Sequence, residues 1–140
     1  MICAVFDCNI IISAIGWKGL PRYCVDLVVS GQIKLCVTTD IWQEYDTMVA
    51  EVFKREGVEV DPQAMLGELL QVAHFVDPAP LGKRRSRDAK DDIYLTCALG
   101  AGADAIVTND RDLLDLEKPF GIQIMTPIEF LKLVRSGSSF

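Results

Sequence analysis

Short apolar runs alternate with helical patterns along the whole chain, and that alternation leaves few architectures open. Ile2-Cys3-Ala4-Val5-Phe6 is an unbroken apolar run, as expected of a strand covered on both faces. Further strands are expected at residues 33–38, weakly at 73–76, and again at 105–108 and 121–125. A helix is expected from Pro21, where proline suits the first turn, to Gly31. After Thr39, the residues Ile41, Tyr45, Met48, Val49, Val52 and Phe53 recur at helical spacing, and Gly57 ends the pattern. Asp61-Pro62 resembles an N-cap followed by proline at N1, opening a helix with Met65, Leu66, Leu69 and Leu70 inward. Asp88 is placed to cap the next helix, which runs to about residues 100–102. Thr126-Pro127-Ile128-Glu129 has the capping-box pattern. The predicted class is α/β, one domain over residues 1–135 on a mainly parallel sheet, with residues 136–140 as a flexible tail.

Half of the residues are apolar, enough for a core without disulfides or a structural metal. No apolar run approaches the ~20 residues that span a bilayer, and Asp7 interrupts the first one before any signal-peptide pattern develops. A cytoplasmic protein is expected. Cys3, Cys8, Cys24, Cys36 and Cys97 form no C-x-x-C pair, which fits reduced thiols rather than a disulfide framework. His74 is the single histidine, so Cys/His zinc chemistry is disfavoured, and it reads as structural.

The formal charge of −6 argues against broad binding of phosphate backbones. Yet Lys83, Arg84, Arg85, Arg87 and Lys90 gather five of the fourteen basic residues in one short run, leaving the remainder more acidic still. That run could guide an RNA backbone, pair with acids of a partner, or form a solvated loop. Trp17 could stack a base, but packing over a neighbouring helix is the favoured reading.

The acids carry the most information. Asp7 follows the first strand and Asp110 the fourth, and open α/β sheets build their sites beyond the carboxyl ends of strands. Glu44 lies at the edge of the apolar face of its helix, Asp91 in a first helical turn, and Asp112 two positions after Asp110. Each alone reads as a cap or a solvated charge. Together at one sheet edge they would repel one another, and a divalent cation is the usual remedy. Ligands that are all oxygen favour Mg²⁺ or Mn²⁺ over zinc. Such ions activate water and clamp the attacking and leaving oxygens of a phosphodiester.

Val5-Phe6-Asp7-Cys8-Asn9-Ile10-Ile11-Ile12-Ser13-Ala14 resembles the opening motif of PIN domains. Arg87-Asp88-Ala89-Lys90-Asp91-Asp92, followed by Leu95-Thr96-Cys97-Ala98, resembles their central acidic helix. Residues 103–114, with Thr108-Asn109-Asp110-Arg111-Asp112, resemble their second strand-end motif, and residues 124–131 are also in the style of one bacterial branch. That branch is described as the toxin components of toxin–antitoxin pairs. The resemblance implies strand order 3-2-1-4-5 and metal ligands at Asp7, Glu44, Asp91 and Asp110, with Asp112 supporting. It makes Asn9, Ser13 and Thr108 the donors that orient ligands or water. Asp91 is preferred to Asp92 because it stands eight positions before Leu99, the family's spacing. Cys8 and Asp92 depart from the family's usual Thr and Asn without removing a proposed ligand. The implied activity is metal-dependent endoribonuclease action on single-stranded RNA, with a cognate antitoxin and a homodimer as implied partners and no membrane.

Rival readings are weaker. A haloacid-dehalogenase-type phosphatase wants an Asp where Asn9 stands, and a receiver domain wants a Lys where Thr126-Pro127 follows the last strand. A non-catalytic module that keeps the fold to bind RNA or a partner stays open, although such a module gains nothing from crowded acids.

Overall fold

The computed structural model describes residues 1–81, 92–116 and 118–136. In chain order the elements are β1 (Cys3–Phe6), α1 (Cys8–Gly16), α2 (Leu20–Val29), β2 (Lys34–Val37), α3 (Thr39–Glu56), α4 (Gln63–Val72) and β3 (His74–Phe75). They continue with α5 (Asp92–Ala101), β4 (Ala105–Val107), α6 (Arg111–Leu114), a 3-10 turn at Pro119–Gly121, β5 (Gln123–Met125) and α7 (Pro127–Arg135). The fold is α/β, as expected. Five strands pair in parallel in the order β3-β2-β1-β4-β5.

The central strands are fully covered: Ala4, Val5, Phe6, Leu35, Val37, Ala105, Ile106 and Val107 have no exposed surface. Burial on both faces is why these runs are continuously apolar rather than alternating. The ring of Phe6 meets Phe130 of α7 edge-on, whereas Cys3 lies near enough to Cys97 of α5 to raise its thiol pKa. Cys3 and Phe6 are three positions apart on one strand and so point to opposite faces. Helices α5 and α7 therefore cover opposite sides of the sheet.

Helix α3 begins where the Thr38 hydroxyl accepts from the Ile41 amide at 3.2 Å. It ends at Gly57, whose φ of 65° is the left-handed conformation that glycine adopts without a Cβ penalty. The capping box at the start of α7 is present, with Thr126 and Glu129 bonding each other's backbone amides.

Three local expectations need correction. The first helix after β1 is not the one at Pro21 but α1, nine residues starting directly after Asp7. Its run Ile10-Ile11-Ile12 is buried almost all round, so no polar face exists to reveal a helical period. Helix α4 starts at Gln63 with Pro62 at the cap position, and Asp61 instead accepts from the Gln63 amide at 3.0 Å. On that helix Leu66 and Leu69 are buried, but Leu70 is 47% exposed, facing away from the core. The proposed cap Asp88 and all but the first residue of the proposed tail at 136–140 lie outside the described residues.

Candidate active site

Strand order reverses at β1: the chain fills one side of it with β2 and β3, then crosses to β4 and β5 on the other. The crevice beyond β1 and β4 is where such sheets place their sites. Register carries both acids there. Phe6 pairs with Val107, and the ladder runs one bond further, from the Asp7 amide to the Val107 carbonyl at 3.0 Å. Asp7 and Thr108 therefore emerge side by side, one residue past the strand ends.

Asp7 is only 4% exposed. Its Oδ2 accepts from the Thr108 hydroxyl at 2.6 Å, and its Oδ1 accepts from the Asn9 amide at 3.2 Å, making it the N-cap of α1. Burial pushes the Asp7 carboxyl above the ordinary carboxylate range, the hydrogen bonds from Thr108 and Asn9 oppose that, and the charge of Asp110 adds to it. Thr108, fully buried, also accepts from the Asp110 amide at 2.9 Å. One hydroxyl thus joins the two acids, donating to one and accepting from the backbone of the other. Asp110 in turn caps α6, taking the Asp112 amide at 2.9 Å. Asp112 is half-buried in the first turn of α6.

Glu44 approaches from α3 and is half-buried. Its backbone carbonyl accepts a weak bond from the Cys8 thiol at 3.7 Å. Burial pushes that thiol up to about 12, and the charges of Glu44 and Asp7 add to the shift. Asn9 and Ser13 are one turn apart on α1. Asn9 is exposed and Ser13 half-buried, and neither side chain hydrogen-bonds an acid among the described residues. Asp92 is half-buried at the start of α5, beside Asp40 and Thr96 in an open depression at this edge. Asp91 and the basic residues Lys83, Arg84, Arg85 and Arg87 lie outside the described residues.

Two residues that sequence reasoning assigned no role at the site flank Asp7. The Tyr45 hydroxyl donates to the Phe6 carbonyl, and the Tyr94 hydroxyl accepts from the Cys8 amide at 3.0 Å. Burial, with further charges including those of Asp7 and Glu44, pushes both phenols well up and keeps them protonated. A tyrosine on an otherwise apolar helix face is the signal available in sequence, because its hydroxyl needs a partner when buried.

Trp17 is 48% exposed and meets Phe53 of α3 edge-on at 6.2 Å between ring centres, so it packs over a neighbouring helix. A cavity of about 590 Å³ lies elsewhere, between α2 and α7. Among the described residues no three His, Cys, Asp or Glu side chains stand close enough together to hold an ion. The donors at the edge are all oxygen, and Asp7 and Asp110 form no ion pair among the described residues. A hard divalent cation fits such a set, because it would relieve the charge that burial and Asp110 make costly on Asp7.

The sequence pattern of the PIN domain matches residues 3–112, a stretch that contains Asp7, Glu44, Asp91, Asp110 and Asp112. This chain belongs to the PIN-domain family. Members of that family are generally ribonucleases. The PIN domain here is similar to a chain in the crystal structure of VapBC2 from Rickettsia felis bound to a DNA fragment from their promoter. The TM-score is 0.58 at 14% identity, over 89% of this chain and 98% of that chain. At that identity the likeness speaks for the fold. No curated protein matches the chain. No helix among the described residues is long and apolar enough to cross a membrane.

Proposed function

We propose that this PIN domain is a metal-dependent endoribonuclease that hydrolyses phosphodiester bonds of single-stranded RNA in the cytoplasm. The observation that carries the reading is the Asp7–Thr108–Asp110 unit: a buried carboxylate of raised pKa, bridged by a buried hydroxyl to a second acid across the switch point of the sheet. Asp7, Glu44, Asp91 and Asp110 would hold Mg²⁺ or Mn²⁺, with Asp112 in support. When bound, such an ion supplies activation of water and charge stabilisation at the scissile phosphate. The protein's own residues set the stage for it. Thr108 fixes the Asp7 carboxylate by donating to it, and the amides of Asn9 and Asp112 hold one oxygen each of Asp7 and Asp110. Asn9 and Ser13, one turn apart on α1, would orient water or substrate beside Asp7. Lys83, Arg84, Arg85 and Arg87 would draw in the RNA backbone that the acidic remainder repels.

The family match and the likeness to a chain of the VapBC2 assembly support a role as the toxin of a toxin–antitoxin pair. A second copy of the chain is a further candidate partner.

The test is cleavage of labelled single-stranded RNA by wild type, Asp7→Asn and Asp110→Asn, with and without Mg²⁺ or Mn²⁺. Cleavage that needs the ion and falls at least ~10²-fold in both folded variants is expected, the scale of losing one pre-organised electrostatic contact. No cleavage by wild type, together with no metal binding in calorimetry, would replace this reading with the non-catalytic module.

A further inference from the structure

We propose that Tyr45 and Tyr94 are positioning residues for the acidic site, a pair of buried hydroxyls that clamp the backbone on both sides of Asp7. The proposal rests on the nuclease reading above. The Phe6 carbonyl belongs to the peptide that enters Asp7, and the Cys8 amide to the peptide that leaves it. Tyr45 donates to the first, and Tyr94 accepts from the second at 3.0 Å. Both side chains are sealed from solvent, Tyr45 at 0% and Tyr94 at 1% exposure.

Pairing of β1 with β2 covers Cys3 and Ala4, so the Phe6 carbonyl lies past the last β1–β2 pair. The Cys8 amide belongs to the first turn of α1, where N–H groups have no helical acceptor. A buried orphan in either place would be costly: Tyr45 satisfies the first group, and Tyr94 shares the second with the Asp7 carboxylate, which the Cys8 amide also stabilises. Asp7 sits between the two bonds at the junction of a strand and a helix, with both of its peptide planes held.

The clamp also sets distances between elements. Tyr45 directly follows Glu44 on α3, so the bond to Phe6 ties the helix bearing Glu44 to the end of β1. Tyr94 lies on α5, three positions after Asp91 in sequence, and ties that helix to the start of α1. Each tyrosine thereby registers one helix against Asp7. This is a supporting layer for metal ligands, of the kind whose loss weakens metal affinity or activity by ~10–100-fold.

The experiment compares full-length wild type, Tyr45→Phe and Tyr94→Phe, each change removing a single oxygen while keeping the ring. Gly100→Ala serves as a control destabilised at the far end of α5. Three readouts are taken: Mn²⁺ affinity by calorimetry, amide hydrogen exchange at Cys8 by NMR, and the split of RNA cleavage into kcat and KM. Both Phe variants are expected to bind Mn²⁺ ~10-fold or more weakly and to lose kcat with little change in KM. Exchange at Cys8 should quicken in Tyr94→Phe and stay slow in Tyr45→Phe. Gly100→Ala should lose thermal stability and keep its Mn²⁺ affinity. Phe variants that match wild type in Mn²⁺ affinity and kcat overturn the clamp, whatever they lose in Tm, and so does a control that loses affinity equally. If one Phe variant fails to fold, the other carries the same test. A wild type that neither binds Mn²⁺ nor cleaves RNA overturns the nuclease reading and the clamp with it, whereas an active wild type with unaffected variants overturns the clamp alone.

Discussion

Asp7 stands where a carboxylate is expensive. It is buried, it faces the charge of Asp110, and the bonds from Thr108 and Asn9 return only part of what desolvation takes. Its folded-state pKa is raised above the ordinary 3.8, so in the window between the two values the folded chain holds more protons than the unfolded one. Stability from this residue therefore falls as pH rises through that window and stays lowered above it. Asp7→Asn abolishes the charge and keeps the bond from the Asn9 amide, while the Thr108 hydroxyl exchanges its acceptor at Asp7 for a bond from the new NH₂, a smaller loss than a buried charge. The variant should be more stable than metal-free wild type at pH 7, with the difference shrinking as pH falls toward 4, in urea denaturation run at several pH values. A variant less stable than wild type at pH 7 would mean that the carboxylate is better compensated than its surroundings suggest. Thr108 is the residue least legible beforehand as a bridge: sequence placed it one position past a strand, but its bond to Asp7 spans 101 positions and depends on the β1–β4 register.

Among the elements, α3 with one wet face was readable and α1 without one was not. Helix α3 shows its apolar stripe, its Thr38 cap and its Gly57 stop because solvent on one side enforces the 3.6-residue period. Helix α1 has isoleucines on nearly every side, and a short β-branched apolar run is as compatible with a strand as with a buried helix. The four-residue α6 is too short to show any period, and the Asp110 cap is its only mark. Helix α5 has a tight approach that sequence does not announce. A Cβ on Gly100 would fall onto the Asp77 carbonyl and within 3.1 Å of the Ala79 amide, in a segment held to α5 by the bond from that amide to the Thr96 carbonyl at 3.0 Å. Gly100→Ala is therefore expected to cost ~1–3 kcal/mol despite alanine's better helix propensity, the scale of overpacking against backbone. Thermal denaturation checks it, and a stabilised variant would show that the 77–79 segment yields freely.

For the molecule as a whole, net charge and site chemistry combine in one expectation. A chain of formal charge −6 with acids gathered at one edge should gain stability from a divalent ion that binds only the folded state. At Mn²⁺ one hundredfold above its Kd the gain is about 2.7 kcal/mol, visible as a concentration-dependent rise in Tm. Wild type should show the rise and Asp7→Asn should not; equal shifts in both would place the ion elsewhere. Sequence by itself determined the α/β class, the positions of all five strands and the acids at the ends of β1 and β4, because continuous apolar runs, caps and turn residues are local signals. The strand order came from likeness to a family, through motifs that are ordered along the chain. Only the tertiary structure decided that Thr108 bridges Asp7 to Asp110 and that Tyr45 and Tyr94 hold the peptides around Asp7. Those bonds join residues 39 to 101 positions apart. They depend on strand register, where a slip of one residue turns every side chain to the other face, and on how far each helix slides over the sheet.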